Sequence, residues 1–301
     1  MKRLLFLYNP KAGKGLLKSK LSDVLDILVK AEYELVVYPT QSCQDAYHKI
    51  VNMTNEFDMV VCSGGDGTLD EVVTGMMQRQ EEDRIPIGYI PTGTTNDFAS
   101  SLDISRDILN AANTAVHGKP FGCDVGKFND DIFVYVAAFG LFTDVPYQTD
   151  QKLKNTLGHA AYVLEGVKRL SNIPSFHIKI TAGETVIEDD FMIGLISNSK
   201  SIAGFRNIMR KDVSFSDGEF EITLIKKAKN LMELNAVATS MLSGKFDPKY
   251  IYTFKSRDVI LESDDEITWT LDGEFGGMHK SVHIENMNKA VTIMVQPDFE
   301  D

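Results

Sequence analysis

The chain has 301 residues, of which 43% are hydrophobic and 25% are charged, an ordinary composition for a folded globular protein that is long enough for two domains. A formal net charge of -12 argues against general nucleic-acid binding and against loose adsorption to anionic lipid by bulk charge. No apolar run reaches the length needed to span a bilayer, and the three cysteines lack disulfide or metal spacing, which favours a cytoplasmic protein.

The first third of the chain alternates short apolar segments with segments of helical spacing. Strands are predicted at 3–8, 33–38, 58–62 and 85–90, and helices at 16–30, 44–55 and 69–78, with one more short helix after them. Strands that alternate with helices favour an α/β fold with a doubly wound, mostly parallel sheet and right-handed crossovers. The ligands of such a sheet lie at the carboxyl ends of its strands.

The pattern changes near Gly122, after which most segments have the character of strands joined by hairpin turns. Strands are predicted at 131–139, 176–181, 191–197, 220–225, 252–254, 259–262, 267–271 and 291–295, and helices at 153–170 and 231–242. The helix at 153–170 carries an apolar stripe with basic flanks, which favours packing on its own sheet over contact with lipid. We predict an α/β domain at 1–125 and a β-sandwich-like domain at 126–289, with a strand near 290–301 that can return to the first domain.

A glycine-rich loop follows the third strand, in the sequence VVCSGGDGTLDEVV at 60–73. Its glycines, Gly64, Gly65 and Gly67, let the backbone approach a phosphate, and the helix behind them adds a partial positive charge. The central carboxylate, Asp66, would repel a triphosphate unless Mg²⁺ lies between them. The loop therefore predicts a nucleoside triphosphate site with a metal. The alternative is a plain tight turn, which seldom needs three glycines around an acid.

Two other strand ends carry small and polar residues. In NPKAGKG at 9–15, backbone amides can reach phosphate and lysines can neutralise its charge, although the segment alone is more typical of a solvated loop. In IPTGTTNDFA at 90–99, the hydroxyls, Asn96 and Asp97 offer contacts to metal, nucleotide or substrate. The alternative is that Asp97 or Thr95 caps the following helix.

The segments NPKAG, GGDGT and PTGTTNDFA, in this order and at strand ends, resemble the catalytic domain of diacylglycerol kinases, above all the soluble bacterial lipid kinases of that family. GGDGT alone is shared with NAD kinases and phosphofructokinases, whereas the third segment is specific. The resemblance implies ATP and Mg²⁺ as cofactors, with Asp66 and Asp97 around the catalytic metal and the substrate. The nucleotide contacts that it implies are Asn9, Pro10, Lys11, Ala12, Gly13, Thr40, Gly64, Gly65, Asp66, Gly67, Thr68, Leu69, Asp70 and Thr94. Asp70 stands where the family usually has Asn, and its charge would weaken ATP binding unless it is linked to a metal or turned away.

Two segments of the second region extend the resemblance. LDGEFGG at 271–277 resembles the family's downstream D-G-E, which implies Glu274 as the base for a lipid hydroxyl and Asp272 in support. On the residues alone, a glycine turn with solvated acids is favoured there. VSFSDGEFEI at 213–222 resembles the family's structural Mg²⁺ site, and the alternative is an Asp-Gly hairpin without metal. The ligands implied are the side chain of Asp217 and the carbonyls of Ser214 and Glu219.

The resemblance implies an ATP- and Mg²⁺-dependent lipid kinase that phosphorylates a lipid hydroxyl, with diacylglycerol and phosphatidate as the leading substrate and product. Two alternatives remain: a kinase of a soluble acceptor such as NAD, and a non-catalytic nucleotide-binding regulatory module. A lipid substrate implies transient peripheral contact with the inner face of the membrane from the cytoplasm. No nucleic-acid partner is expected, and an exposed edge strand in the second region offers a contact for a homodimer.

Overall fold

The computed structural model describes residues 2–140, 174–199 and 213–301, so the helix predicted at 153–170 lies outside the described residues. The strands are β1 Lys2–Tyr8, β2 Tyr33–Pro39, β3 Met59–Gly64, β4 Ile87–Pro91, β5 Lys119–Phe128, β6 Asp131–Phe133, β7 Val136–Gly140, β8 Phe176–Ala182, β9 Thr185–Ser197, β10 Phe220–Lys226, β11 Ile251–Ser256, β12 Asp258–Leu271 and β13 Glu274–Val295. The helices are α1 Leu21–Lys30, α2 Asp45–Val51, α3 Asp66–Met77, α4 Asp97–Ser101, α5 Ile108–His117 and α6 Leu231–Ser243.

Four parallel strands form the part of the sheet that supports the glycine-rich loop. Their order is β4-β3-β1-β2, and every residue of β3 and β4 is buried, as expected for strands covered on both faces. Among the helices, α2 packs against α3, and α1 packs against α5. The four strands of the predicted α/β region therefore form and pair in parallel, while the doubly wound arrangement stays a prediction.

The sheet as a whole is mixed, because the parallel strands predicted for the first region continue into antiparallel strands of the second region. The long strand β13 pairs antiparallel with β12 and β5, and its end pairs parallel with β4 through Ile293 and Ile87. Hydrogen bonding thus joins 13 strands of the described chain into one sheet. The later strands pair antiparallel both where a two-residue turn joins them, as between β8 and β9, and where a long segment with a helix does, as between β10 and β11.

A ring of strands encloses the second apolar core. Along its length β9 pairs first with β8 and then with β7, and β12 pairs first with β8 and then with β7. The core within this ring of strands is aromatic. The centroid of the Trp269 side-chain ring lies 5.0 Å from that of Phe128 and 5.0 Å from that of Phe139. This ring of strands lies in the region where the sequence predicts a β-sandwich-like domain, and it is continuous with the parallel strands β1 to β4.

Several elements are longer than predicted or were missed. The two strands predicted at 259–262 and 267–271 are one strand, β12, whose pairing shifts register between Glu262 and Ile267 and so accommodates the acidic residues between them. Only the end of β13 was predicted, since its earlier residues are polar and include two glycines. The helix α5 and the strand β5 were not predicted. Within the described residues, no helix combines the length and apolar character that crossing a membrane requires.

Candidate active site

The loops after β1, β3 and β4 leave the sheet side by side. The N–H of Asn9 donates to the carbonyl of Ser63 at 2.8 Å, and the N–H of Thr92 donates to the carbonyl of Gly64 at 2.8 Å. Thr40 is buried and donates its N–H to the last residue of β1 at 2.9 Å. The carboxyl ends of the four strands therefore form one continuous edge, as the fold requires of a ligand site.

The loop after β1 packs against the loop after β4. Within it, the side-chain oxygen of Asn9 accepts the N–H of Lys11 at 2.9 Å, and the N–H of Ala12 donates to the carbonyl of Asn9 at 3.3 Å. Gly13 has a φ of +52°, and a Cβ there would lie 2.0 Å from the carbonyl oxygen of Thr92. Only glycine suits this position, because a side chain would separate the two loops.

The glycine-rich loop begins α3. Gly65 is its N-cap, and no side chain caps the helix there, so its first N–H groups are available to a ligand. Gly65 also lies against Gly93 of the third loop: a Cβ on Gly93 would come within 2.5 Å of the Cα of Gly65. By contrast, nothing lies within 4 Å of a Cβ built on Gly67, which faces open space. Thr68 and Leu69 are buried and anchor the first turn. The arrangement suits an anion at the start of α3.

Asp66 connects the glycine-rich loop to α4. Its carboxylate accepts the N–H of Asp97 at 3.2 Å and the N–H of Phe98 at 3.3 Å, while Asn96, the N-cap residue of α4, makes no capping bond. Burial raises the pKa of Asp66, and these two N–H bonds oppose that rise. Asp66 thus caps α4 from across the site, and the N-cap position belongs to Asn96, which lies between Thr95 and Asp97.

A cavity of about 320 Å³ lies beside the third loop. Its lining includes Thr92, Gly93 and Thr94 of the third loop, the basic residues Lys20 and Arg106, and the acidic Asp107. Arg106 also donates to the carbonyl of Thr95 at 2.9 Å and to the hydroxyl of Ser100 at 3.1 Å. Sequence reasoning missed these two basic residues because each stands alone, outside any motif. They supply positive charge next to Thr94, a predicted nucleotide contact.

The D-G-E segment forms the hairpin turn between β12 and β13. Leu271 pairs with Glu274, and Asp272 and Gly273 have φ values of +50° and +90°, as a two-residue type I′ turn requires. Asp272 is half-buried and its pKa is raised to about 6 by burial. Glu274 is exposed. The interpretation of this segment as a turn with solvated acids therefore holds for Glu274 and fails for Asp272.

The carboxyl group of Asp272 is held by the chain that leads into β7. It accepts the N–H of Val134 at 2.5 Å, that of Tyr135 at 2.9 Å and that of Val136 at 2.9 Å. Burial raises the pKa of Asp70, on α3, well above its ordinary range, and the charge of Asp272 raises it further. The three backbone N–H groups hold the turn that carries Glu274 against the start of β7.

The residues predicted for a second metal lie elsewhere, before β10. Asp217 accepts the N–H of Glu219 at 3.0 Å and the ammonium of Lys255 at 2.8 Å, and the hydroxyl of Ser214 donates to Asp301 at 2.6 Å. In the ranges that the structure describes, no three His, Cys, Asp or Glu side chains are grouped as metal ligands. The ammonium of Lys255 lies between the carboxylates of Asp217, at 2.8 Å, and Glu221, at 3.1 Å, so a cation at Asp217 would compete with it.

The chain is similar to known proteins of one family. Residues 3–128 match the family model described as the diacylglycerol kinase catalytic domain. The chain is 37% identical over 282 residues to the diacylglycerol kinase of Bacillus subtilis (strain 168), which covers 92% of this chain and 91% of that protein. It is 36% identical to the diacylglycerol kinase of Staphylococcus carnosus (strain TM300), with coverage of 92% and 90%.

The fold is similar as well. A crystal structure of a diacylglycerol kinase from Bacillus anthracis str. Sterne superimposes with a TM-score of 0.82 at 26% identity, over 98% of this chain and 97% of that chain. The similarity thus extends over both regions of the chain and is not confined to the glycine-rich loops. The chain therefore belongs to the diacylglycerol kinase family.

Proposed function

We propose that the protein is a lipid kinase that transfers the γ-phosphoryl group of ATP to the hydroxyl of diacylglycerol and produces phosphatidate. The observation that carries this proposal is the convergence of three loops at the carboxyl ends of the parallel strands, where Asp66 bridges to the start of α4. The named activity of relatives at 34–37% identity supports the choice of a lipid acceptor.

The triphosphate binds along the edge formed by the three loops. The uncapped N–H groups of α3 and the open face at Gly67 receive phosphate oxygens, and the exposed lysines of the first loop, with Lys20 and Arg106, neutralise charge. Asp66 and Asp97 are the residues that would hold Mg²⁺, which binds proteins through one or two carboxylates together with the substrate's phosphates. The metal would supply neutralisation of charge that develops on the transferred phosphoryl group.

The acceptor approaches from the side of the β12–β13 turn. Glu274 is exposed there, next to Phe275, which is 72% exposed. In this proposal the carboxylate of Glu274 orients the lipid hydroxyl and takes its proton as the phosphoryl group arrives. Asp272 does not touch the substrate: its bonds to three backbone N–H groups fix the turn and therefore the direction of Glu274.

The proposal also includes a second metal site, contact with the membrane and a homodimer. Asp217, with Ser214 and Glu219, is a candidate second Mg²⁺ site, in which the ion would replace the ammonium of Lys255. We also propose that the enzyme works from the cytoplasm with transient contact to the inner face of the membrane, because its product remains in the bilayer. A homodimer through an exposed sheet edge stays a prediction, which light scattering in solution can test.

The deciding experiment is transfer of label from γ-labelled ATP to dispersed diacylglycerol, to NAD and to a total lipid extract in parallel. Labelled phosphatidate supports the proposal, whereas transfer to NAD alone would favour a kinase of a soluble acceptor. Binding of Mg·ATP without transfer to any lipid would favour the regulatory module. Asp66→Ala and Glu274→Ala are the matched variants, and both should lose nearly all transfer.

A further inference from the structure

The side chain of Glu71 joins α3 to the start of α2. Its two carboxylate oxygens accept two different backbone N–H groups, that of Gln44 at 2.9 Å and that of Ala46 at 3.1 Å. Gln44 is the N-cap residue of α2 and makes no side-chain capping bond of its own. The first N–H groups of a helix lack partners within the helix, so Glu71 supplies the cap of α2 from another element.

The loop between β2 and α2, at 40–44, is held at both of its ends. At one end Thr40 donates its N–H to the carbonyl of Tyr8 at 2.9 Å. At the other end Glu71 accepts the N–H of Gln44, whose backbone has a φ of +64°. A residue with a side chain keeps such a φ only where its surroundings hold it there. We therefore expect the loop to relax when the carboxylate of Glu71 is removed.

The position of Glu71 on α3 brings this loop to the proposed triphosphate site. Glu71 follows Gly67 by four residues, and residues four apart lie on the same face of a helix. The side chains of a helix tilt toward its N-terminus, so the carboxylate of Glu71 lies toward Gly67. Nothing lies within 4 Å of a Cβ built on Gly67. The loop at 40–44 therefore borders the open space over the first turn of α3.

We propose that Glu71 is a positioning residue, which holds the loop at 40–44 as one wall of the ATP site and does not itself touch the nucleotide. The inference rests on the proposed function, in which the phosphates bind at the start of α3. Loss of the carboxylate should weaken ATP binding and leave the transfer step intact, because Glu274 and its turn belong to other elements. A residue with a merely structural role would change stability alone.

The first test needs no ligand and measures hydrogen exchange of individual backbone amides. In Glu71→Ala the N–H groups of Gln44 and Ala46 should exchange at least about tenfold faster than in the wild type, since both lose their acceptor. Glu71→Gln keeps one acceptor oxygen and should protect one of the two amides, which provides a milder variant if the alanine protein folds poorly. Unchanged exchange at both amides in Glu71→Ala would overturn the proposal.

Glu233→Ala is the matched control for the loss of a helix cap. The carboxylate of Glu233 accepts the N–H of Lys229 at 2.7 Å, just before the start of α6 in the second region. Its removal should leave the exchange of Gln44 and Ala46 as in the wild type. Faster exchange of these two amides in Glu233→Ala as well would show that general destabilisation opens the loop, and would contradict the role of Glu71.

The second test measures ATP binding by titration calorimetry and transfer to diacylglycerol for the same variants. The Kd for Mg·ATP should rise about tenfold in Glu71→Ala, because only molecules with the loop in place bind. At saturating ATP the kcat should change by less than about twofold, and Glu71→Gln should be intermediate in affinity. Glu233→Ala should bind ATP as the wild type does. Normal affinity in Glu71→Ala, or an equal loss in Glu233→Ala, would overturn the proposal.

Cys43 provides a third readout within the loop itself. It is exposed, whereas Cys62 and Cys123 are buried, so a thiol reagent should react with it first. Mg·ATP should slow this reaction in the wild type and not in Glu71→Ala at the same concentration. A rate that does not respond to bound Mg·ATP in the wild type would contradict the placement of the loop. A wild type that binds no Mg·ATP would refute the proposed function, whereas the exchange rates would still decide whether Glu71 holds the loop.

Discussion

The contact between Gly65 and Gly93 offers a direct test of how the glycine-rich loop and the third loop form one site. A Cβ on Gly93 would lie 2.5 Å from the Cα of Gly65 and 2.7 Å from the side-chain oxygen of Asn96. Contacts this short do not occur in proteins, and one of the two atoms belongs to the backbone, so the loops must separate. Overpacking of this kind costs about 1–3 kcal/mol, which corresponds to a fall in Tm of roughly 2–6 °C for a chain of this size.

Two variants in the neighbouring loop provide a graded comparison. In Gly65→Ala the new Cβ would meet the Cα of Gly93 at 3.3 Å, a contact that a small shift relieves, so the expected cost is below about 1 kcal/mol. In Gly67→Ala nothing lies within 4 Å, and alanine favours a helix over glycine by about 1 kcal/mol, so stability should not fall. We expect Gly67→Ala to be the most stable of the three variants, Gly65→Ala to be intermediate and Gly93→Ala to be the least stable.

Thermal unfolding followed by circular dichroism gives this order, and titration calorimetry with ATP gives the affinity of each variant. We expect Gly93→Ala to bind ATP more weakly than the wild type, because it separates loops that the proposed site needs together. A Gly93→Ala protein as stable as Gly67→Ala would show that the two loops do not touch. Normal ATP affinity in a destabilised Gly93→Ala would place the nucleotide elsewhere.

Four further predictions follow from named contacts. Glu274→Gln should lower kcat about 10²–10⁴-fold with unchanged ATP affinity by calorimetry, and normal turnover would remove its role as base. Asp66→Ala removes both acceptors at the start of α4 and should lower the free energy of unfolding in urea by about 1–2 kcal/mol; equal stability would argue against the cap. Burial raises the pKa of Glu221 to about 7 while Lys255 opposes it, so the stability that its proton contributes is lost as pH rises from the ordinary 4.5 through 7. The ammonium of Lys255 lies 3.1 Å from the carboxylate of Glu221, so Lys255→Met should extend this loss to higher pH in urea unfolding, and an unchanged profile would contradict the pairing of these two residues. Mg²⁺ should raise the Tm of the wild type more than that of Asp217→Asn, and an equal rise would exclude Asp217 as a ligand.

Much of the first region could be predicted because its signals are local. The strands that become β1 to β4 are short apolar runs bounded by glycine, proline or polar residues, and the structure places each within a few residues of its predicted bounds. The carboxyl ends of these strands lie together because parallel strands of one sheet end at the same edge. The loops at 9–15, 64–70 and 91–97 could therefore be grouped from the sequence.

The long strands of the second region could not be predicted in the same way. β13 includes polar residues and two glycines, and it remains a strand because β12, β5 and β4 pair with it along its length. The pairing with β5 and β4 is non-local, and the register shifts in the pairing with β12 and β5 let charged residues stay within a strand. The secondary-structure propensity of each segment alone therefore predicts interruptions in the strand, whereas in the tertiary structure the strand is continuous.

The site shows the same division between local and non-local information. The sequence by itself determined the glycine content of the loops and the starts of the helices behind them, which are local properties, and from these it predicted a triphosphate site. Only the tertiary structure decided that Asp66 caps α4, that Lys20 and Arg106 line a neighbouring cavity, and that Asp272 accepts three backbone N–H groups of residues 134–136. These are contacts between residues far apart in the chain, and the protonation of a carboxyl group depends on burial and on neighbouring charge, which exist only once the chain has folded.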